Sequence, residues 1–152
     1  MPQKIERQFL LTELPDNLED CPKLSMRQGY LSVSEEREVR IREEGDRYTL
    51  TVKTGQGAVR EEIETPLQRQ QFEDLWPATE DKRLIKTRYF FPLDDLTVHI
   101  DIYADKLESL KVAEVEFSSE AACNAFVPPE FFGEEVTSIG GFFHLNKVLE
   151  KL

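Results

Sequence analysis

The fold is decided by the stretch EVRIREEGDRYTLTVK, residues 38–53. Its first five residues alternate strictly between charged and apolar side chains, so that Val39 and Ile41 share one face. Gly45-Asp46 signals a turn, and the last six residues repeat the alternation on a returning strand. The stretch therefore predicts an antiparallel hairpin with one apolar face and one polar, charged face.

The same two-residue period continues on both sides of this hairpin. Strands are predicted at residues 4–11, 26–34, 38–42, 48–53, 59–64, 84–91, 97–103 and 110–117. Asp94-Asp95 signals the turn of a second hairpin, and residues 14–24 are predicted to form a loop. About eight short strands with few helices indicate a mainly β (α+β) protein, built as an antiparallel barrel that is closed or nearly closed.

Helices are predicted at three places. The first begins at Thr65-Pro66, which offers an N-cap followed by proline at the first helical position, and it stops at Pro77. Ser118 or Ser119 caps a short second helix that runs to residue 126. The third helix is C-terminal, and its apolar residues have amphipathic spacing: Leu145, Val148, Leu149 and Leu152. We expect the helices to cover the apolar outer faces of the strands, which include Ile63.

Length and composition are those of one globular domain covering residues 1–152, since 39% of the residues are hydrophobic and 32% are charged. No run of about 18 apolar residues is present, and the N-terminal residues lack the apolar core of a signal peptide. We therefore expect a cytoplasmic protein without a membrane span. Cys21 and Cys123 have no metal-ligand spacing, so we expect free thiols and no zinc site.

The formal net charge of −11 argues against a nucleic-acid-binding surface, because such surfaces concentrate exposed lysine and arginine. Many basic residues nevertheless fall on the polar faces of predicted strands. Those faces carry Glu6, Arg40, Arg42, Lys53, Arg60, Glu62, Glu64, Lys86, Arg88, Asp101, Glu114 and Glu116. One interpretation is the solvated outer face of a half-exposed sheet. We favour a water-filled tunnel, because arginine and glutamate recur on strand after strand.

A tunnel of this composition suits a polyphosphate with a divalent metal ion. Planar guanidinium groups grip phosphate oxygens with two hydrogen bonds. The carboxylates of Glu114 and Glu116 lie two residues apart on one strand, and such pairs suit Mg²⁺ or Mn²⁺ beside phosphate. The sequence therefore predicts a site for a polyphosphate and its metal ion.

Six strand motifs resemble those of the CYTH, or triphosphate tunnel metalloenzyme, superfamily, in particular its short bacterial members. The motifs are Lys4-Ile5-Glu6-Arg7-Gln8, Glu38-Val39-Arg40-Ile41-Arg42, Thr51-Val52-Lys53, Arg60-Glu61-Glu62-Ile63-Glu64, Lys86-Thr87-Arg88-Tyr89 and Glu114-Val115-Glu116-Phe117. Taken in the same order, these motifs are similar to six strands of the family: Glu-x-Glu-x-Lys, Arg-x-Arg, tunnel-lysine, Arg-x-Glu-x-Glu, Lys-x-Arg-Tyr and Glu-x-Glu. Each motif alone is weak evidence for the resemblance, but six motifs in the family's order over nearly the whole chain are specific evidence for it.

The resemblance implies an eight-stranded tunnel barrel that binds a triphosphate end to end with Mg²⁺ or Mn²⁺. The residues that it assigns to the phosphates are Arg40, Arg42, Lys53, Arg60, Lys86 and Arg88. The residues that it assigns to the metal ions or the attacking water are Glu6, Glu62, Glu64, Asp101, Glu114 and Glu116. Lys86 is our candidate for positioning or deprotonating that water, because neighbouring arginines disfavour its charged form.

The sequence departs from the family pattern at both ends of the chain. Lys4 replaces the first signature glutamate, and Gln8 replaces the signature lysine. In one interpretation Lys4 substitutes for the missing phosphate-binding lysine; in the other, the site has lost efficient metal-dependent turnover. Residues 142–146 replace a basic segment that usually closes over the tunnel. With Gly140-Gly141 before them, they form either a mobile lid or the packing of the last helix.

Two classes of function remain open from the sequence. Hydrolysis of an inorganic or organic triphosphate is favoured by the intact Glu114 and Glu116 pair and by the basic strands. A polyphosphate- or nucleotide-binding protein with little turnover is favoured by Lys4 and Gln8. An adenylate cyclase is a third candidate, although no base-recognition motif is visible. The expected partner is a small molecule carrying a triphosphate, and the oligomeric state stays open, with a homodimer as one option.

Overall fold

Eight antiparallel strands close into a barrel, and a ninth strand extends one edge, in the part of the chain that the structure describes. This structure is a computed structural model that describes residues 3–55 and 57–137. The strands are β1 (Gln3–Leu11), β2 (Lys23–Val33), β3 (Arg37–Glu44), β4 (Arg47–Thr54), β5 (Val59–Leu67), β6 (Arg83–Leu93), β7 (Leu96–Tyr103), β8 (Lys111–Phe117) and β9 (Phe132–Glu135). Their order is β5-β4-β3-β2-β6-β7-β8-β1-β9, and pairing of β1 with β5 closes the barrel. The predicted mainly β barrel is confirmed.

Closure of the barrel depends on a short contact between β1 and β5. Their registered pairs are Gln3 with Glu61, Lys4 with Arg60 and Ile5 with Val59. Farther along the same edge of β1, β9 pairs at Phe9 and Leu11. Strand β9 was not predicted, because four residues are too short to show a period. It covers backbone groups that an open sheet edge would leave unpaired.

The main hydrophobic core lies outside the barrel wall. Its buried residues are Phe9, Leu11, Leu18, Tyr89, Val98, Ile100, Ala113, Val115, Phe117, Cys123 and Phe132. They come from the outer faces of β1, β6, β7 and β8, and from the segments that cover those faces. One such segment is helix α2, Glu120–Ala125, whose N-cap Ser119 accepts a hydrogen bond from the backbone N–H of Ala122. The predicted cap is confirmed, and the interior is left free for polar side chains.

A second apolar cluster lies at one end of the barrel. It consists of Tyr30, Leu84, Tyr103, Leu107, Leu110, Val112 and Val136. Tyr30, Tyr103 and Val112 occupy strand positions that continue the interior faces of β2, β7 and β8. The interior therefore changes from charged to apolar toward this end.

The first helix begins later than predicted. Helix α1 spans Arg69–Leu75 and follows the N-cap Gln68, whereas Thr65 and Pro66 belong to β5 and pair with β4. The prediction was wrong because cross-strand pairing prevailed over the local cap signal. Among the described residues, β1 pairs with β5 only before this point. Pro66 thus lies on a strand edge, where a missing N–H is tolerated.

The helices cover only part of the apolar outer face. Phe72 of α1 is fully buried and stacks on Trp76 at a centroid distance of 5.2 Å, and Ile41 is also fully buried. Ile63 on β5, however, is 42% exposed. The expectation that helices bury this residue was wrong, because α1 has only seven residues.

Other predicted boundaries differ modestly from the structure. Strand β2 begins at Lys23, earlier than predicted, and the preceding loop contains a short 3₁₀ helix at Leu18–Asp20. The Asp94-Asp95 turn is present, with Asp94 at a φ of 53°. No helix among the described residues is long and apolar enough to cross a membrane. The predicted C-terminal helix and the segment 140–146 lie outside the described residues.

Candidate active site in the barrel interior

All eight barrel strands contribute side chains to a charged interior cavity. The empty space inside it, counted out to its open mouth, is about 680 Å³. The predicted site residues that line it are Lys4, Glu6, Arg40, Arg42, Lys53, Glu62, Glu64, Lys86, Arg88, Asp101 and Glu114. Two further predicted residues lie apart from the lining. Arg60 donates from Nε to the carbonyl oxygen of Gly57, and Glu116 keeps 48% of its side chain exposed.

Asp101 joins two cations on the β6–β7 wall. Its carboxylate accepts hydrogen bonds from Lys86 Nζ at 2.8 Å and from Arg88 Nε and Nη2 at 2.8 and 2.9 Å. The register of the hairpin explains this contact, because Arg88 lies directly opposite Asp101. Although burial acts to raise it, Arg88 and Lys86 hold the pKa of Asp101 far below its usual range. Asp101 is therefore a fixed anion between two buried cations.

The pKa of Lys86 allows both its charged and its neutral form near neutral pH. Burial lowers its pKa to about 7, and Arg88 and Arg42 add to this effect although Asp101 opposes it. Its ammonium group also lies 5.4 Å from the ring centroid of Tyr103. A buried lysine with this pKa can act as a proton acceptor near neutral pH.

Two arginines on β3 lie in the interior without a carboxylate partner. Among the described residues, neither Arg40 nor Arg42 has an acidic group within 4.0 Å, and the buried Nε of Arg40 has no hydrogen-bond partner. Arg42 donates from Nε to Gln28 Oε1 at 3.0 Å. Burial lowers the pKa of Arg42 to about 10, with further contributions from Arg40 and Arg88. The arrangement leaves positive charge available for an anion.

Two carboxylates converge on the opposite side of the cavity. Burial and Glu114 raise the pKa of Glu6, although Lys53 opposes the rise from 3.2 Å away. Burial also acts to raise the pKa of Glu114, but Arg88 and His99 hold it well below its usual value. Repulsion between two such carboxylates is relieved by a divalent cation. No group of three or more acidic, histidine or cysteine side chains forms a metal-ligand cluster within residues 3–55 and 57–137.

The first strand places its two unusual residues against acids. Lys4 Nζ lies 3.5 Å from Glu116 Oε2 and 3.9 Å from Glu62 Oε1. Gln8 donates from Nε2 to Glu114 Oε2 at 3.2 Å. Both side chains therefore contact predicted metal-binding carboxylates.

Five lining residues were missed by the sequence reasoning, namely Gln28, Tyr30, His99, Tyr103 and Val112. Burial and Glu38 raise the pKa of Tyr30, whose hydroxyl accepts a hydrogen bond from Gln28. The missed signal was the two-residue period itself. Tyr103 and His99 share the face of Asp101, and Gln28 shares the face of Tyr30.

Comparisons with known proteins identify the family of this chain. The family described as CYTH domain matches residues 3–127. The inorganic triphosphatase of Nitrosomonas europaea is 44% identical over 136 residues, which is 88% of this chain and 89% of the relative. The inorganic triphosphatase of Acetivibrio thermocellus is 30% identical over 151 residues, covering 97% and 94%.

Solved structures share the fold. A crystal structure of an inorganic triphosphatase has a TM-score of 0.64 at 44% identity and covers 88% of each chain. A Pyrococcus horikoshii protein has a TM-score of 0.56 at 12% identity, covering 90% of this chain and 99% of its own, and shows likeness of fold alone. The resemblance stated from the sequence motifs is thereby confirmed. The chain belongs to the CYTH domain family.

Proposed function

We propose that this protein hydrolyses a triphosphate inside its tunnel, with inorganic triphosphate as the substrate. The observation that carries the proposal is the pair of interior arginines, Arg40 and Arg42, without carboxylate partners among the described residues. Glu62, Glu38 and Glu114 act on Arg40 only from beyond contact distance, and a polyphosphate supplies the missing contact with oxygens that guanidinium groups bind well. The two relatives named inorganic triphosphatase support the same substrate class.

Lys86 is the proposed general base. With a pKa of about 7, about half of its side chains are neutral at neutral pH. The neutral amine accepts a proton from water while the water oxygen attacks a terminal phosphorus atom. The bond from that phosphorus to the bridging oxygen breaks, which releases phosphate and diphosphate. Asp101, held at 2.8 Å, stabilises the ammonium group that forms, while Arg40, Arg42 and Arg88 stabilise charge on the phosphates.

CYTH triphosphate tunnel enzymes are generally dependent on a divalent metal ion. In this chain, Glu6 and Glu114 face each other and offer carboxylate oxygens to such an ion, beside Lys53 at 3.2 Å from Glu6 and Arg88 at 3.9 Å from Glu114. A complete protein cage is unnecessary, because Mg²⁺ commonly combines one or two carboxylates with phosphate oxygens. We assign Mg²⁺ or Mn²⁺ to Glu6 and Glu114. When bound, the ion would neutralise phosphate charge.

A second candidate is a protein that binds triphosphate with little turnover. It is favoured by Lys4, whose ammonium group contacts two predicted metal-binding carboxylates. Both candidates share the same anion site, and they differ only in whether phosphate is released.

One experiment tests both candidates. Tripolyphosphate is titrated calorimetrically into the protein, and released phosphate is then measured with Mg²⁺ or Mn²⁺ present. Arg40→Ala should weaken binding, whereas Arg69→Ala, which removes an exposed arginine at the start of α1, should not. Binding without phosphate release supports the second candidate. If tripolyphosphate binds no better than orthophosphate, both candidates are wrong.

A further inference from the structure

A buried glutamine connects one of the two interior arginines to a tyrosine. Gln28 on β2 lies directly opposite Arg42 on β3. The side chain of Gln28 accepts a hydrogen bond from Arg42 Nε at 3.0 Å and donates one from Nε2 to the Tyr30 hydroxyl at 2.8 Å. Gln28 and Tyr30 are only 2% and 1% exposed, so little water can reach the amide.

The two contacts fix which way the amide of Gln28 points. A guanidinium group can only donate hydrogen bonds, so the atom that faces Arg42 has to be the carbonyl oxygen of the amide. The NH₂ group then faces Tyr30, whose hydroxyl oxygen accepts. Tyr30 is buried in the second apolar cluster together with Leu84 and Tyr103. The amide therefore has one orientation, and the tyrosine that holds it is itself fixed by packing.

The hydrogen bond to Gln28 uses one edge of the Arg42 guanidinium group. It engages Nε and does not occupy Nη1 or Nη2, and a guanidinium group needs only two N–H groups to grip a phosphate. Arg42 lines the cavity and is partly exposed to it. Because a side chain held at Nε has already lost rotational freedom, less entropy is lost when an anion binds. The contact therefore prepares Arg42 for an anion before the anion arrives.

Arg88 shows what a charged acceptor does in the same role. Its Nε donates to Asp101 Oδ1 at 2.8 Å, just as the Nε of Arg42 donates to Gln28. Burial acts to lower the pKa of Arg88, but Asp101 raises it above its ordinary value. The pKa of Arg42 is instead lowered to about 10, by burial and by the charges of Arg40 and Arg88. Gln28 thus orients Arg42 without neutralising it.

We propose that Gln28 is a positioning residue for the triphosphate: its neutral amide, held by Tyr30, orients Arg42 toward the phosphates and leaves the charge of Arg42 for them. The inference rests on the proposed function for its anion and concerns how one arginine is prepared to bind it. A carboxylate at this position would orient Arg42 equally well, but it would also neutralise Arg42 and repel phosphate. An apolar side chain would leave Arg42 charged but without a fixed orientation.

The first test is Gln28→Glu, which exchanges the amide for a carboxylate of the same shape. In calorimetric titrations the variant should bind tripolyphosphate at least about 100-fold more weakly than the wild-type protein, because a negative charge then competes for Arg42. Gln70→Glu makes the same chemical change at an exposed position on α1, and it should bind with wild-type affinity. Wild-type affinity in a folded Gln28→Glu variant would overturn the proposal.

The second test asks whether Gln28 acts through Arg42, and it also decides the matter if Gln28→Glu fails to fold. Gln28→Met keeps the length of the side chain and removes both hydrogen bonds, so it should weaken tripolyphosphate binding about tenfold. In an Arg42→Ala background the same change should alter the affinity by less than about twofold, because no guanidinium group remains to be oriented. A residue that only packs the barrel wall would cause equal losses in both backgrounds, and that result would contradict the proposal.

Measurements on the wild-type protein separate this inference from the proposed function. Wild-type binding of tripolyphosphate without phosphate release, together with weak binding by Gln28→Glu, would support the role of Gln28 and reject the triphosphatase. Phosphate release by both proteins, with equal affinities for tripolyphosphate, would support the triphosphatase and reject the role of Gln28. A wild-type protein that binds no tripolyphosphate would reject both.

Discussion

Two walls of the tunnel hold their charges in different ways. On the β6–β7 wall, Lys86, Arg88 and Asp101 are linked by contacts of 2.8–2.9 Å, and their side chains are at most 6% exposed. On the β1 wall, the side chain of Lys4 is 41% exposed and reaches its acids only at 3.5 and 3.9 Å. Two of the departures from the family pattern, Lys4 and Gln8, lie on this more loosely held β1 wall.

The physical reason is the environment of each charge. Removing one member of a buried, hydrogen-bonded ion group leaves the others buried and unpaired, which is strongly destabilising. A partly exposed lysine can change identity because water solvates whatever charge remains. The β1 wall can therefore vary its charges while the barrel keeps its fold.

The largest expected effect is the loss of hydrolysis when Lys86, on the tightly held β6–β7 wall, is replaced. Lys86→Met should reduce the rate of tripolyphosphate hydrolysis by about 100-fold to 10,000-fold, because it removes the proposed base and leaves an apolar stem of similar length. The measurement is phosphate release with Mg²⁺, and Lys23→Met is the control outside the tunnel. A loss smaller than about tenfold would show that another group accepts the proton.

The next effect concerns stability. Asp101→Asn should lower the free energy of unfolding by about 3–5 kcal/mol, because Lys86 and Arg88 lose their shared anion. Urea denaturation measures this change. Glu64→Gln is the matched control, since the exposed pair of Glu64 with Arg47 at 2.8 Å should contribute about 0–1 kcal/mol. Similar losses in both variants would mean that burial does not set the Asp101 group apart from an exposed ion pair.

The pH dependence of activity should follow Lys86. Its pKa of about 7 means that the neutral, proton-accepting form gains population as pH rises. The value of kcat/KM should therefore increase about tenfold per pH unit well below pH 7 and level off about one unit above it. Asp101→Asn removes a group that raises the pKa of Lys86, so its profile should move to lower pH. A profile that falls between pH 6 and 8 would contradict the assignment of the base.

The smallest expected effect comes from the loosely held wall. The double change Lys4→Glu with Gln8→Lys restores a carboxylate and a cation on the interior face of β1. Hydrolysis should rise by about tenfold, because a divalent ion neutralises more phosphate charge than one ammonium group. The assay is phosphate release at saturating Mg²⁺. If the double variant is slower than the wild type, Lys4 is a working part of a rearranged site.

Much of the candidate site could be predicted from the spacing of residues along the sequence. The strict period of two places Arg40 and Arg42 on the same face as Glu38, and it does the same for Lys86 with Arg88. The Asp94-Asp95 turn makes β6 and β7 a hairpin, which brings Asp101 opposite Arg88. Prediction succeeded here because side-chain direction in a strand depends on local geometry alone.

Elsewhere local signals were insufficient. Thr65-Pro66 has the composition of a helix start but forms part of β5, because pairing with β4 outweighs the cap. Strand β9 shows no period, since it exists only through its contact with β1. Both cases depend on partners that lie far away in the chain.

The barrel class, most of the inward-facing charges and the family could be predicted from the sequence, because each depends on residue type and spacing along a strand. Which charges meet depends on how the strands are arranged in three dimensions. Lys4 reaches Glu62 and Glu116 because closure of the barrel puts β1 between β5 and β8. Among the described residues, Arg40 and Arg42 have no acidic group within 4.0 Å, because of where the closed barrel places β3. Ion pairing depends on distance in space, and distances between strands arise only when the sheet closes.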